Sequence, residues 1–220
     1  MERLLRNRVE ELNGMDARRT AIIGIHWQED VVGGGDMRDI FRAYVESSNI
    51  IPRTAGVFDA ARKAGVLVVF VNAAFWPNYA GLIQNNGLFR TVTERNNAFI
   101  RGSRGVAVVP EFGPAKSDII IEHSRMSVFH GSDLQSILIG HGIDTVALTG
   151  VATNVAVDHS VRDAAQLGYR TLLIEDCCCS SDPSYHEASL KSLRVIATSI
   201  LTSDVFLQQL TAQQASDAAV

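Results

Sequence analysis

The stretch LTGVATNVAVDHSVRDAAQLGYRTLLIEDCCCSSDPSYHEASL, residues 148–190, follows one apolar run of strand length and contains a second. These two runs, residues 145–148 and 169–174, do not alternate apolar and polar residues as a strand with one solvent-exposed face would. Residues 154–167, which lie between them, have the pattern of a helix. Such strands joined by helices are typical of a parallel sheet that is covered on both sides. The stretch therefore predicts an α/β fold.

The same alternation of strands and helices continues in both directions along the chain. Further strands are predicted at residues 20–25, 66–71, 118–121 and 200–201. Further helices are predicted at residues 40–63, with a break at Pro52, at 133–140 and 184–195, and from Asp204 onward. We expect one domain over residues 18–220, with three layers: a parallel β-sheet flanked by helices on both faces. Residues 1–17 have the spacing of a short amphipathic helical arm.

Composition excludes several classes of protein. The chain has 220 residues, of which 46% are hydrophobic and 20% charged, so it can bury a sizeable core. A net charge of −4 gives no reason to expect a nucleic-acid or anionic-membrane partner. No apolar run is long enough to span a bilayer, and the first residues lack the apolar region of a signal peptide. We therefore expect a cytoplasmic protein with a small-molecule substrate.

The three cysteines are consecutive, at positions 177–179. An odd, clustered set cannot form a disulfide framework, and the spacing does not fit a zinc ribbon. We expect a reducing environment and interpret these cysteines as small side chains that pack near a strand end.

Ligands of parallel sheets bind beyond the carboxyl ends of the strands, where the strand order reverses. The segments that follow the predicted strands are therefore the candidates for a site. They are residues 26–30, 72–79, 122–129 and 150–156.

Residues 148–190 resemble the isochorismatase-like, or cysteine hydrolase, superfamily, through a strand, the block GVATN, a helix that ends in DAAQLGY, and a strand that ends in an acidic residue. TAIIGIHWQED, residues 20–30, is similar to the family's first strand and its I-D-x-Q-x-D ending. EHSRMSVFHGSDLQSIL, residues 122–138, is similar to K-x-x-x-S-A-F-x-G-T-x-L. The resemblance covers about residues 19–205 and implies an isochorismatase-like hydrolase fold.

The resemblance also implies that all three positions of the Asp–Lys–Cys triad of family amidohydrolases have changed. The Asp position is His26, the Lys position is His123 and the nucleophile position is Ala156. Alanine offers no nucleophile, so a covalent thioester on residue 156 is impossible. Isochorismatases proper also have a small residue at the cysteine position and hydrolyse a vinyl ether with the Asp as acid.

Two imidazoles in one pocket can act as a general acid and a general base near neutral pH. We expect one histidine to titrate low and the other higher, because two charged rings repel. His26, His123 and His159 could instead bind a metal, but the segment after the second strand, residues 72–77, lacks the acidic residue and histidines of the family's metal-binding branch. We predict no metal and no cofactor, since neither GxGxxG nor a P-loop motif occurs.

The resemblance implies a cis peptide bond between Val151 and Ala152. It also implies that the main-chain amides of Ala152 and Ala156 form an oxyanion or anion-binding site at a helix N-terminus. The alternative is an ordinary capped helix start, with Thr153 or Asn154 as the cap.

Several further residues are candidates for substrate binding because they lie in the segments that follow the strands. They are Gln28, Phe75, Trp76, Tyr79, Phe129 and Val151. Gln28 and Asp30 match family positions that support the first loop. An arginine could bind a carboxylate, and the irregular region offers Arg90, Arg95, Arg101 and Arg104.

The preferred hypothesis is a hydrolase or lyase that acts without a covalent intermediate on a small carboxylate-bearing cyclic metabolite. His26 would be the general acid or base, with His123 as its partner. A catalytically silent homologue that binds a ligand or partner subunit is the alternative. A cysteine amidase with its Cys changed to Ala would explain Ala156 but neither histidine. The resemblance further implies a homo-oligomer, a dimer or tetramer, for which residues 1–17 are a reasonable contact.

Overall fold

The computed structural model describes residues 15–95 and 97–217. The predicted arm lies outside the described residues apart from its last three. Within the described ranges, no helix is both long and apolar enough to cross a membrane.

The core of the fold is a parallel sheet in the order β3-β2-β1-β4-β5-β6. Its strands are β1 (Thr20–Ile25), β2 (Leu67–Ala73), β3 (Ile119–His123), β4 (Thr145–Val151), β5 (Arg170–Cys179) and β6 (Ser199–Leu201). Every residue of β1 and β4 is buried. Strands that are buried on both faces are characteristic of parallel sheets. Because both faces are buried, the sequences of these strands do not alternate apolar and polar residues.

Seven α-helices cover the two faces of the sheet in the described ranges. They are α1 (Arg38–Ser48), α2 (Ile50–Lys63), α3 (Gly87–Glu94), α4 (Leu134–Gly140), α5 (Asp158–Gln166), α6 (Pro183–Leu193) and α7 (Ser203–Asp217). One apolar cluster contains Phe58 of α2 and Phe206 of α7. A second contains Leu134, Val161 and Leu193 of α4, α5 and α6. The predicted three-layer α/β architecture is confirmed.

Short helical turns lie between these elements. They are the 3-10 turns Ala17–Arg19, Pro77–Tyr79, Arg104–Val106 and Pro110–Phe112, and the π turn Thr153–Val157.

The structure corrects two predicted boundaries. The helical region 40–63 is broken at Asn49 and not at Pro52, because Asn49 adopts a left-handed conformation with φ 52° and Pro52 lies in the first turn of α2, where its missing N–H costs nothing. The strand predicted at 169–174 continues to Cys179. A register shift opposite Leu148 and Gly150 lets this longer strand remain paired with β4.

The sheet topology determines where a ligand can bind. The chain builds β1, β2 and β3 toward one edge and β4, β5 and β6 toward the other. β1 and β4 are neighbours, so the loops that follow them diverge and leave a crevice at their carboxyl ends. His26 follows β1 directly, and Ala152 follows β4 directly.

Candidate active site

His26 begins the loop after β1 in an uncommon backbone conformation. Its φ is 57°, in the left-handed region that a histidine adopts rarely. Its main-chain N–H donates to the Val71 oxygen at 3.0 Å, so the end of β1 stays in line with β2. Unusual backbone conformations of this kind occur often at functional sites.

His123 is the last residue of β3, and its side chain meets that of His26. Its ring is completely buried, and its Nε2 lies 2.6 Å from Nε2 of His26. The two rings have centroids 4.9 Å apart and planes inclined by 24°. Ala73, the residue paired with His123 in the sheet, ends the strand β2 that lies between β1 and β3.

Hydrogen bonding determines which ring nitrogens carry protons. His123 Nδ1 lies 3.2 Å from the Ser127 main-chain oxygen, which can only accept, so Nδ1 carries the proton of neutral His123. Its Nε2 is then an acceptor, and His26 must donate from its own Nε2. When its ring is protonated, His26 can also donate to the main chain of Val151. The protonated ring of His26 therefore has two acceptors, His123 Nε2 and the main chain of Val151.

Burial keeps both imidazoles neutral near pH 7. Loss of solvation lowers the pKa of His26 to about 4, while a hydrogen bond to the main chain of Val151 acts in the opposite direction. Burial also lowers the pKa of His123 well below its ordinary value, and the positive charge of a protonated His26 would lower it further. Desolvation lowers the pKa of both rings, so neither histidine titrates near neutral pH.

The turn after β4 forms the opposite wall of the site. Gly150 has φ 145°, and a Cβ there would lie 2.3 Å from the Ile25 oxygen, so only glycine lets β4 approach the end of β1 this closely. The Val151–Ala152 peptide bond is cis, as the resemblance implied. Ala156 lies in the π turn and is buried.

Side chains from the neighbouring helix and strand end hold this turn. Thr153 Oγ1 lies 2.8 Å from His186 Nδ1, and the Ser180 hydroxyl donates to Asn154 Oδ1 at 2.8 Å. Neither Thr153 nor Asn154 caps the turn with its side chain. An ordinary side-chain cap therefore does not describe this helix start.

A pocket with about 100 Å³ of free volume opens between His26 and this turn. His26, Ala73, Val151, Ala152 and Ala156 line its inner end. Its remaining walls come from the loops and helices around the strand ends: Val31, Met37, Phe41, Phe75, Leu88, Phe89, Val92, Phe99, Arg125, Met126 and Val155. His123 is not among the lining residues, so it reaches the pocket only through His26.

The predicted substrate-binding residues separate into two groups. Phe75 and Val151 line the pocket. Gln28 is buried and exchanges hydrogen bonds with the main chain of Ala73, accepting at 2.8 Å and donating at 3.1 Å. It therefore braces the loop after β1 against β2, the supporting role that the resemblance implied.

The other three aromatic candidates lie outside this pocket. Trp76 is 57% exposed and packs against the Arg101 guanidinium. The Tyr79 hydroxyl donates to the Ala98 oxygen. Phe129 packs on Tyr169 within the apolar cluster of the opposite sheet face.

Most of the arginines that the sequence singled out already have partners. Arg95, Arg101 and Arg104 pair with Asp39, Glu122 and Glu29, each at 3.1 Å. Arg90 is exposed on α3. The charged residue that does line the pocket is Arg125, which sequence reasoning did not single out, although it lies in the segment 122–129 that follows β3.

The cysteines and His159 do not join the histidine pair. The three cysteines are buried in β5, where burial raises the pKa of Cys177 and of Cys179 to about 12 and raises that of Cys178 as well. His159 is exposed, and its Nδ1 lies 2.7 Å from the Val155 oxygen. Across residues 15–95 and 97–217, no group of three or more His, Cys, Asp or Glu side chains is arranged to hold a metal ion.

The sequence also matches a known protein family. The isochorismatase domain, as a sequence family, matches residues 20–205, which is most of the chain. The chain belongs to the isochorismatase family. The predicted fold and family are therefore confirmed, and the coarse expectation of an isochorismatase-family hydrolase is confirmed with them.

The relatives of this isochorismatase-family chain include named amidohydrolases. It is 28% identical over 200 residues to the uncharacterized isochorismatase family protein YwoC of Bacillus subtilis, covering 89% of this chain and 96% of the relative. It is 27% identical to the ureidoacrylate amidohydrolase RutB of Stutzerimonas stutzeri, covering 90% and 85%. A cysteine hydrolase from Pseudomonas syringae has a similar fold, with a TM-score of 0.77 at 21% identity over 90% of this chain and 95% of that one.

Proposed function

We propose that this chain is a hydrolase or lyase that acts, without a covalent intermediate, on a small carboxylate-bearing cyclic metabolite. His26 is the group that moves protons, and His123 is its partner. The observation that carries the proposal is the 2.6 Å contact between the two Nε2 atoms, with His26 on the wall of a pocket that is mostly apolar. The amidohydrolase relatives support hydrolysis as the reaction.

In this proposal His26 works first as a general base. A pKa near 4 keeps its ring neutral at physiological pH, so the ring nitrogen that carries no proton can accept one from water as the water oxygen bonds to the electrophilic carbon. The hydrogen bond that the ring donates to the main chain of Val151 favours the charged ring that results. The same ring then returns the proton to the leaving group as the bond to that group breaks.

His123 is a positioning residue in this scheme. The Ser127 carbonyl holds its ring, and its Nε2 accepts the proton on His26 Nε2. This arrangement holds the ring of His26 in one orientation toward the pocket. Histidines elsewhere depend on a hydrogen-bonded partner in the same way.

The main chain of the π turn supplies the place for developing negative charge. Ala152 and Ala156 both line the pocket beside His26, at the start of a helical segment. Amides at a helix N-terminus favour an oxyanion or carboxylate. Because residue 156 ends in a methyl group, the attacking atom must come from water or from the substrate itself.

The test is turnover of a panel of amides, vinyl ethers and cyclic carboxylates by the purified protein. We expect His26→Ala and the double variant with His123→Ala to lose turnover while circular dichroism shows an intact fold. His141→Ala is the matched control, since His141 is exposed and lies beside the amino ends of β2 and β3, whereas the site lies at the carboxyl ends of the strands. It should turn over substrate like the wild type.

Two outcomes would contradict the proposal. Turnover that survives in the double variant would exclude the histidine pair as the catalytic device. A wild-type protein that binds members of the panel, raising its melting temperature, yet converts none of them would favour the silent homologue.

A further inference from the structure

Among the residues that the structure describes, Arg125 is the one charged side chain, apart from the titratable His26, that lines the pocket. It follows β3 by two residues and is partly buried. Its Nη1 donates to the Ser124 main-chain oxygen at 2.9 Å. In the part of the chain that the structure describes, no carboxylate lies within ion-pairing distance of it.

The other arginines near the strand ends have carboxylate partners, unlike Arg125. Arg95, Arg101 and Arg104 each have a carboxylate at 3.1 Å, although Arg104 is mostly exposed. A partly buried guanidinium without an acidic partner has lost solvation that no charge within the protein replaces. An anionic group on a ligand would restore that balance.

The position of Arg125 also suggests how a ligand would be oriented. Arg125 and Met126 line both the apolar pocket and a neighbouring polar cleft. The cleft is otherwise lined by Ser124, Ser127, His130, Gly131, His159 and Asp163. Asp163 is paired there with His130 at 3.0 Å. Arg125 therefore lies at the boundary between the apolar pocket and the polar cleft.

The apolar walls restrict the rest of the ligand. Phe75, Phe89, Phe99 and Val92 offer no hydrogen bonds from their side chains, so polar groups on the body of a ligand would be desolvated without compensation. An apolar body of a few carbon atoms or a ring avoids this cost and gains from burial.

We infer that the substrate has an apolar body that fills the pocket and a single carboxylate that Arg125 binds at its boundary. The inference rests on the proposed function only in treating this pocket as the site of reaction. It makes Arg125 a specificity-determining residue, one that acts on binding and leaves the proton transfer at His26 unchanged.

The test is isothermal titration with pairs of ligands that share a body: phenylacetate with phenylacetamide, and cyclohexanecarboxylate with cyclohexanecarboxamide. The wild type should bind each carboxylate about tenfold or more tightly than its neutral partner. Acetate, which lacks the apolar body, should bind much more weakly than phenylacetate. Arg125→Gln should abolish the preference for the carboxylate, and Arg125→Lys should keep part of it.

Arg90→Gln is the matched control, because Arg90 lies on α3 beside the lining residues but is exposed and outside the pocket. It should bind like the wild type. Equal affinity of the wild type for acid and amide, equal affinity for acetate and phenylacetate, or no binding of any carboxylate at millimolar concentration would overturn the inference. A carboxylate preference that persists in Arg125→Gln would also overturn it.

Binding and turnover separate this inference from the proposed function. If Arg125 sets the preference but no compound is converted, the inference stands and the proposed function fails. If the His26 variants lose turnover while Arg125→Gln binds as before, the proposed function stands and the inference fails. Arg125→Lys, together with the wild-type ligand pairs, keeps the test decisive should Arg125→Gln not fold.

Discussion

The histidine pair and the cysteine run are both groups of reactive side chains at the carboxyl ends of strands, and their surroundings differ. His26 lines a pocket and touches His123, while Cys177, Cys178 and Cys179 are enclosed between the sheet and its helices. Burial lowers the pKa of the imidazoles and leaves them neutral bases, but it raises the pKa of the thiols and leaves them unreactive. The same desolvation thus prepares one group for chemistry and disables the other.

The largest effect on turnover should come from a mutation in the histidine pair, and mutation of the cysteine run should have almost none. His26→Gln removes the base and should lower kcat/KM by about 10²–10⁴-fold, the usual contribution of a positioned general base. The variant with all three cysteines changed to Ala should retain turnover close to the wild type. Kinetics on any converted panel compound check this, and a cysteine variant that folds but loses turnover would reverse the comparison.

Alkylation should show that the native cysteines are unreactive because they are buried, since a cysteine placed on the pocket wall should react. Ala156→Cys introduces a thiol on the pocket wall, and N-ethylmaleimide should modify it more than about a hundredfold faster than the three native cysteines. The native thiols are enclosed and protonated, so intact-mass spectra of the folded wild type should show no adduct. Labelling in denaturant, where every thiol is exposed, is the control. Rapid modification of the folded wild type would show that β5 is not closed.

Acid should destabilise the protein through the histidines. The pKa of His26 falls from 6.5 to about 4 on folding, so between these pH values the unfolded chain binds a proton that the folded chain does not. The free energy of unfolding is therefore highest above pH 6.5 and decreases as pH falls, by at most about 3 kcal/mol for this residue. Urea titrations from pH 7 to pH 4.5 measure the slope.

The double variant His26→Gln/His123→Gln should have a flatter dependence on pH, while the cysteine variant should follow the wild type. Equal slopes in all three proteins would mean that the imidazoles are not desolvated by folding.

The smallest effect should be the contribution of the cysteines to stability. Each thiol is buried, and its replacement by a methyl group should cost roughly 1 kcal/mol through lost packing. Denaturant midpoints of the single Ala variants test this value. A cost near zero at Cys178, which packs in the cluster opposite that of its two neighbours, would indicate a loosely filled space on that face.

Much of the fold was predictable because it depends on local pattern. The strands at β1 and β4 are uninterrupted apolar runs, and a helix separates each strand from the next, which restricts the sheet to a parallel arrangement. The break at Asn49 was not predictable, since any of several residues could have adopted the left-handed conformation there. The length of β5 was missed because its pairing beyond Ile174 depends on a shift in register with β4.

The sequence by itself determined the α/β class, the order of the elements, and the segments after the strands from which a site could be built. Only the tertiary structure decided which side chains in those segments meet. His26 and His123 are 97 positions apart, yet their Nε2 atoms lie 2.6 Å apart, whereas Trp76 and Phe129 lie in the same candidate segments and are outside the pocket. Strand periodicity is a local property, but contact, desolvation and access depend on how distant segments pack, and these decide whether a histidine, a cysteine or an arginine can do chemistry.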